Sequence, residues 1–368
     1  MKKILMIGYC NQFFRIEYAK NIKTEDYLID IISFEECEEK NKHYYNKIYV
    51  CDNPLHGLIR TVIIYLQFFL CVTKLDHYDA IHIHSVKKIE ATFSYLLRKK
   101  CNKLICTIYG SDFYRVTNNT RTRLANLFRK SDYITIETEG AINDFNKYYK
   151  NIFADKIIKI CFGITVLDEI LNIRKKIYNL TSMRKEFGIP YDAFVITIGY
   201  NATNEQHHID ILNELKKVEK NLPDNYFLLI PLGYGNDNYK KCVLDYFEFL
   251  NMHGKCLLDF YPSETIAKLR LSSNIMIQLQ DTDLMSSSML EYLFAGNLII
   301  TGDWLPYKEI EKFIVQISSI EELNEKIISL IYNWKLRSDY SQNTDCINFL
   351  TDNYMWNNVK GRWLKLYE

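Results

Sequence analysis

A chain of 368 residues, 48% of them hydrophobic and 25% charged, has room for about two domains and enough apolar side chain to give each a core. Its formal net charge of +1 excludes the global electrostatic signature of a nucleic-acid binder. Ten cysteines stand singly, with no C-x-x-C and no Cys/His cluster at zinc spacing, and read as small buried thiols in a reducing cytosol.

The opening MKKILMIGYC imitates a secretion signal, but its apolar run is short, Tyr9 is bulky for a cleavage site, and the polar NQFFRIE follows at once. A buried first strand is the expectation. The segment 58–75, LIRTVIIYLQFFLCVTKL, is interrupted by Arg60, Gln67 and Lys74, and reads as a largely buried helix able also to rest on a membrane.

Short apolar runs of strand length recur along the whole chain. They are ILMIG (4–8), YLIDIIS (27–33), KIYV (47–50), AIHIH (80–84), KLICTIY (103–109), YITIE (133–137) and IIKIC (157–161) in the first half. The second half has FVITIG (194–199), YFLLIP (226–231), CLLDF (256–260), IMIQL (275–279), NLIIT (297–301) and FIVQI (313–317). Nearly continuous β-branched runs, rather than alternating ones, mean strands covered on both faces, hence parallel sheets with helices between. Two such series predict an α/β protein of two Rossmann-like, doubly wound domains facing a cleft: residues 1–166, a polar and basic linker at 167–192 ending in Gly188 and Pro190, and residues 193–345. The last stretch, 346–368, has helical spacing and predicts a helix whose Trp356, Trp363 and Leu366 pack on a domain surface, crossing back toward the first domain.

In open α/β sheets ligands bind beyond the carboxyl ends of the strands, so polar residues there are the candidates. In the first domain these are Tyr9 and Asn11, His84 and Ser85, Tyr109, Ser111 and Asp112. His82 and His84 alternate along one strand and share a face, with only the terminal His84 expected to reach the cleft. Asp112 reads as a cleft acid or as a helix N-cap. Between residues 80 and 130 eleven basic residues face two acids, an excess that suggests an anionic membrane or a phosphate-bearing substrate.

In the second domain, GYNATNEQHHIDIL offers Gly199, Asn201, Asn204 and His208 ahead of a helix N-terminus, a generic anion site. PLGYGN puts Gly233 and Tyr234 at the equivalent position one strand over. Neither is a G-x-G-x-x-G or a P-loop, which counts against dehydrogenases and P-loop NTPases. In DTDLMSSSMLEYLFAG, Ser288 and Glu291 have the spacing of a capping box, and Gly296 stands where a left-handed residue would end the helix.

The D-x-IHIHS strand, the T-I-x-G-S-D turn and an acid-x7-E element running into LEYLFAGNLIIT together resemble the retaining family-4 branch of the GT-B glycosyltransferases. IGYNATNEQHHIDIL, IPLGYGNDNYKKCV, DWLPYKEI and NFLTDNYMWNNV are also similar to segments of the bacterial transferases that add 4-acetamido-4,6-dideoxygalactose to an undecaprenyl-linked intermediate. The resemblance implies that Glu291 holds the ribose hydroxyls of a nucleoside-diphosphate sugar, that Asp283 faces the donor sugar, and that the amides of Met285, Ser286, Ser287 and Ser288 meet the diphosphate or the sugar. It implies no cofactor beyond that donor substrate and no metal site. The family's Arg-x4-Lys pair has no counterpart in GYNATNEQHH, where His207, His208 and helix N-termini stand instead, and its T-x-H-G histidine is Tyr109 here.

The implied reaction is transfer of a hexose-type sugar to a glycan or undecaprenyl-linked hydroxyl in bacterial surface polysaccharide synthesis. Asp112 or His84 would act as base or would position the acceptor, and Tyr9, Asn11, Tyr109 and Ser111 would lie on the acceptor side. The protein would be cytoplasmic, peripheral on the inner face of the cell membrane through its 80–130 basic patch, and would not bind nucleic acid. The competing readings are a non-catalytic scaffold on the same fold, and an epimerase or phosphorylase.

Overall fold

The computed structural model describes residues 1–176, 179–336 and 344–368, and the chain divides into two compact units. The first comprises Met1–Gly163 together with Trp356–Glu368, and the second Ile164–Met355.

Each apolar run noted above contributes a strand. The first unit holds β1 (Lys2–Gly8), β2 (Tyr27–Ser33), β3 (Ile48–Val50), β4 (Tyr78–His84), β5 (Cys101–Thr107), β6 (Tyr133–Ile136) and β7 (Ile157–Lys159). They form one parallel sheet in the order β3-β2-β1-β4-β5-β6-β7. Its helices are α1 (Phe13–Ile22), α2 (Gly57–Lys74), α3 (Lys88–Thr92), α4 (Ser94–Lys99), α5 (Ser111–Tyr114), α6 (Asn118–Lys130) and α7 (Glu139–Tyr149).

The second unit opens with α8 (Thr165–Lys175) and α9 (Leu180–Glu186). Its strands are β8 (Phe194–Ile198), β9 (Tyr226–Pro231), β10 (Gly254–Leu257), β11 (Ile275–Gln278), β12 (Leu298–Gly302) and β13 (Val315–Ile317), parallel in the order β10-β9-β8-β11-β12-β13. Between and after them come α10 (His208–Lys217), α11 (Asp237–Leu250), α12 (Ser263–Leu271), α13 (Ser287–Phe294), α14 (Leu323–Leu336) and α15 (Thr344–Tyr354). The final α16 (Trp356–Lys365) belongs to the first unit.

Three expectations change. The stretch 167–192 is no linker: it carries most of α8 and all of α9, and Val166, Leu167 and Ile170 of α8 and Met183 and Arg184 of α9 are buried, because apolar residues recur at helical spacing among the basic ones. The C-terminal stretch is two helices rather than one, and they fall in different units. The long apolar α2 is mostly exposed, with only Phe68 and Val72 fully covered.

The core of the first unit joins Ile4, Met6, Ile29 and Ile31 of its central strands to Tyr18 of α1 and to Trp356, Val359 and Trp363 of α16. In the second unit the core is built from Ile196, Ile198, Leu228, Ile230, Ile275 and Ile277 against Ile211, Leu212 and Leu215 of α10. Both sheets reverse strand order once, between β1 and β4 and between β8 and β11. At such a switch point flanking loops diverge to opposite faces and leave a crevice at the carboxyl ends of the strands.

Candidate functional site

In the second unit the loops after β8, β9, β11 and β12 are tied into one polar cluster. Gly199, directly after β8, has φ +61, and a Cβ there would lie 2.7 Å from Nε2 of His208. Glycine is therefore required on both conformational and steric grounds. The chain then bridges to the β9 loop: the Ala202 amide donates to the Tyr234 carbonyl at 2.7 Å, and the Asn236 amide donates to the Ala202 carbonyl at 2.7 Å. Gly235, φ +128, allows this approach, since a Cβ would sit 2.4 Å from the Ala202 oxygen. Gly233 packs as closely on the Asp259 carbonyl.

Two glutamines at the end of β11, which sequence reasoning passed over, organise the rest. Oε1 of Gln280 accepts from Tyr200 Oη at 3.2 Å and from Gln206 Nε2 at 2.8 Å, while its carbonyl accepts from Trp304 Nε1 at 2.9 Å. Gln278 Nε2 donates to Tyr307 Oη at 3.0 Å, and Tyr307 Oη donates to Asp283 Oδ2 at 2.6 Å. The signal was present in IMIQLQ, an apolar strand that turns polar only at its carboxyl end.

His208 is buried at the first position of α10, and neither ring nitrogen has a hydrogen-bond partner among the described residues. Burial lowers its pKa to about 4, with His207 adding to the effect, so the ring is neutral. His207 is left-handed, φ 53, and its two nitrogens lie 3.1 Å from Asp210 and 2.7 Å from Asp281. Those carboxylates outweigh its desolvation and raise its pKa. Asn201 is buried and accepts from Thr203 Oγ1 at 2.9 Å. Asn204 is exposed, as is Tyr234, whose ring packs edge-on to Phe260 at 6.0 Å.

The start of α13 departs from the expected capping box. The cap is Ser286, whose Oγ accepts from the Met289 amide at 3.2 Å. Three serines in a row are degenerate in sequence, and the backbone turn selects the first. Glu291 pairs instead with Arg270, the penultimate residue of α12. Nε and Nη2 of Arg270 both reach Oε2 of Glu291, at 3.0 and 2.9 Å, and Nη2 stands 3.3 Å from Ser288 Oγ. The Arg270 guanidinium also lies 4.2 Å over the Tyr292 ring. Burial pushes the Glu291 carboxyl above its usual range, and the Arg270 guanidinium, with two nitrogens on one oxygen, pulls the other way. Oε1 of Glu291 is left unengaged by Arg270. Met285 is buried, and Ser287 is half-buried beside Ser288 at the open end of α13. Gly296, φ +90, ends the helix in the left-handed region as its position suggested.

In the first unit His84 does not reach solvent. It is fully buried, its ring centred 4.0 Å from that of His82 and tilted against it by 33°, with Nδ1 3.0 Å from Tyr109 Oη. Burial holds its pKa well below the usual range, with His82 and Arg15 adding to the effect. His82 is structural: Nδ1 meets Tyr367 Oη at 2.6 Å and Nε2 meets Thr107 Oγ1 at 2.6 Å. Asp112 is buried too, and both its oxygens accept backbone amides, Oδ1 from Tyr109 and Gly110 at 3.0 Å and Oδ2 from Val86 at 2.9 Å. It clamps the turn after β4 to the turn after β5. Burial raises its pKa to about 6, against the pull of those amides. Asn11 is likewise committed to loop structure, accepting from the Glu38 amide at 2.9 Å and donating to the Glu36 carbonyl at 2.7 Å.

Tyr9 is half-buried beneath the Lys87 ammonium at 3.6 Å, Tyr109 is half-buried, and Ser111 is exposed. The cation that sequence reasoning missed is Arg15. It is buried beside Gly8, donates from Nη2 to the His84 carbonyl at 2.8 Å, and lies 5.8 Å from the Tyr9 ring and 6.0 Å from the Tyr109 ring. Among the described residues no three His, Cys, Asp or Glu side chains converge as a metal ion would need.

Residues 3–138 match the family described as glycosyl transferase 4-like. No curated protein matches the chain. Among solved structures, a glycosyltransferase from Rickettsia africae superposes with a TM-score of 0.78 at 16% identity, covering 100% of this chain and 97% of its own. Anabaena HepE, in complex with UDP and glucose, gives 0.74 at 13% identity over 99% of both chains. The UDP-GlcNAc 2-epimerase of Neisseria meningitidis, bound to UDP-GlcNAc, gives 0.64 at 15% identity, covering 100% and 99%. These likenesses establish the fold as the two-Rossmann GT-B type.

Proposed function

We propose that the protein is a glycosyltransferase that moves a hexose-type sugar from a nucleoside diphosphate to a hydroxyl of a glycan or lipid-linked acceptor in bacterial surface polysaccharide synthesis. The observation that carries this reading is the buried Arg270–Glu291 pair at the open end of α13, set among the loops of the β8/β11 switch point. The match of residues 3–138 to a glycosyl transferase 4-like family supports it from the other unit.

The hard step is departure of the diphosphate, on which negative charge grows as the glycosidic bond breaks. The N-termini of α10 and α13 each present the equivalent of about half a positive charge. Such preorganised dipoles stabilise a developing anion without rearranging. Arg270, fixed by Glu291 and stacked on Tyr292, adds a full charge behind Ser288. Glu291, oriented through Oε2, keeps Oε1 for the ribose hydroxyls, and Asp283, oriented by Tyr307, faces the sugar. His208, buried and neutral, packs beneath Gly199 and supports the loop after β8. No cofactor or metal enters this scheme.

In this reading the acceptor belongs to the first unit, with Tyr9, Tyr109 and Ser111 on its side. A base role would require Asp112 to release backbone amides, so Asp112 and His84 act as positioning residues, holding the β5 turn and Tyr109, and the acceptor hydroxyl's proton passes to the departing diphosphate oxygen. The protein works in the cytoplasm against the inner face of the membrane. Likeness of its C-terminal segments to the transferases of 4-acetamido-4,6-dideoxygalactose supports an undecaprenyl-linked acceptor.

Titration calorimetry with UDP, GDP and dTDP tests the donor site. One nucleotide should bind, and Glu291→Gln, which keeps the side chain's shape, should weaken it at least about tenfold, a loss of about 1.4 kcal/mol. Equal affinity in the variant would remove Glu291 from the site. A scaffold on the same fold would bind nucleotide but release no sugar from the matching nucleotide sugar in a hydrolysis assay, whereas the enzyme releases it slowly.

A further inference from the structure

Helix α2 presents an apolar surface that the fold leaves uncovered. Its mean hydropathy is 1.5, yet Leu58 is 85% exposed, Val62 66% and Leu66 56%, with Ile59, Phe69 and Leu70 exposed beside them. At about 100° per residue these six fall within one arc of roughly 120°. Arg60, Gln67 and Lys74, seven residues apart, line the next edge of the helix, and α2 carries no acid. Isolated exposed leucines are ordinary on a protein surface, whereas a continuous apolar stripe of this length marks an interaction face.

We propose that α2 is an interfacial anchor, lying in the plane of an anionic lipid bilayer with this arc immersed in the headgroup–acyl boundary. The charge around the helix points to lipid as the occupant. Phe93 packs against Tyr65, Phe68 and Phe69 of α2 at 6.0, 5.8 and 5.8 Å. Two residues on, Tyr95 is exposed, with Lys99 4.5 Å and Lys130 5.5 Å from its ring. Along another border Phe34 stacks on Phe68 at 5.9 Å and carries Lys87 at 4.9 Å, with Lys88 exposed next to it. Lys74 closes the C-terminal end. An apolar stripe edged by lysines and an exposed tyrosine supplies both signals that stable peripheral binding needs, inserted area and attraction to anionic headgroups. Two of the acids near the helix are matched, Asp52 by Arg60 at 2.7 Å and Asp132 by Arg98 at 3.6 Å.

At about 1.5 Å per residue the helix is roughly 27 Å long, close to the thickness of a hydrocarbon core. It nevertheless lies on the surface, because it is the crossover between β3 and β4 of one parallel sheet and its other flank is packed through Phe68 and Val72. The inference deepens the membrane location proposed above; because no α2 residue belongs to the polar clusters, loss of lipid binding and loss of nucleotide binding are separable.

Flotation of the full chain with phosphatidylcholine vesicles, with and without about 30% phosphatidylglycerol, tests it. The protein should float with the anionic vesicles. Lys99→Gln with Lys130→Gln should weaken partitioning roughly 25-fold at low ionic strength, from about fivefold per lysine. The triple variant Leu58→Glu, Val62→Glu, Leu66→Glu should weaken it by more than about a hundredfold while keeping its circular dichroism, melting temperature and affinity for whichever of UDP, GDP or dTDP the native chain binds. As a check that tolerates a misfolded triple variant, Val62→Trp should be quenched by brominated lipid. The proposal is overturned if the native chain stays at the bottom with both vesicles, if the triple variant floats like native, or if the Val62→Trp signal is unquenched. It is equally overturned if sedimentation shows a dimer that the triple substitution dissolves, since a second copy would then own this face.

Discussion

Replacing Glu291 by Ala removes one half of an ion pair whose side chains are 4% (Arg270) and 9% (Glu291) exposed. The guanidinium then stays buried with Tyr292 beneath it and no counter-charge at 2.9 Å. Stranding a charge this way costs about 3–5 kcal/mol, against about 1 kcal/mol had Glu291 been only a helix cap. For a cooperative unit of this size, that is a fall in melting temperature of roughly 6–20 °C. Scanning calorimetry and urea unfolding followed by circular dichroism measure it. The double variant Arg270→Met, Glu291→Leu, which removes both charges and keeps the volume, should recover most of the loss, because a packed apolar pair often matches a buried ionic one. It should still fail to bind nucleotide, which separates stability from recognition. A fall of less than about 1 kcal/mol in Glu291→Ala would refute the reasoning, since the pair would then be behaving as a solvated one.

Asp112→Asn keeps the side chain's size but turns an N–H toward backbone amides at 2.9–3.0 Å; it should cost about 2–3 kcal/mol, and an undiminished melting temperature with lost turnover would restore Asp112 as a base. His208 has a folded pKa of about 4 against 6.5 unfolded, so it contributes stability that is complete above pH 6.5 and is lost as pH falls toward 4. Between pH 7 and pH 5, native protein should therefore lose about 2 kcal/mol more than His208→Gln in paired urea titrations, and parallel curves would contradict this. Gly235→Ala should cost roughly 2–4 kcal/mol and weaken nucleotide binding by parting the β8 and β9 loops, visible in melting and calorimetry; a silent substitution would mean the loops are not coupled.

The strands were legible because parallel strands buried on both faces must be apolar without interruption, and runs such as IMIQL and FVITIG have few other uses. The loops of the second unit were legible as loops, since Gly199 and Gly235 occupy backbone angles that other residues avoid. Burial was harder to read. The composition of α2 is that of a core helix, and only the packing around it decides that Leu58 and Val62 face outward. Arg270 was invisible for the opposite reason: a basic residue in the last turn of a helix has an ordinary explanation in the helix dipole, and its partner is 21 residues away. His84 was misjudged because the end of a strand is open only when nothing closes over it, and here Tyr18, Tyr109 and Arg15 do.

Helix α16 gives the order of synthesis a physical meaning. Trp356, Val359, Trp363 and Tyr367 complete the core of the first unit, yet the whole of the second unit, Ile164–Met355, is translated before them. At about 5–20 residues per second, the nascent first sheet waits roughly ten to forty seconds with Tyr18 and His82 lacking their Tyr367 partner. During that interval the ribosome carries a half-finished hydrophobic surface, the side of the first sheet that Trp356, Val359 and Trp363 will cover. A nonsense mutation at Trp363 would spare every residue of the second unit and leave the first permanently in that unfinished state.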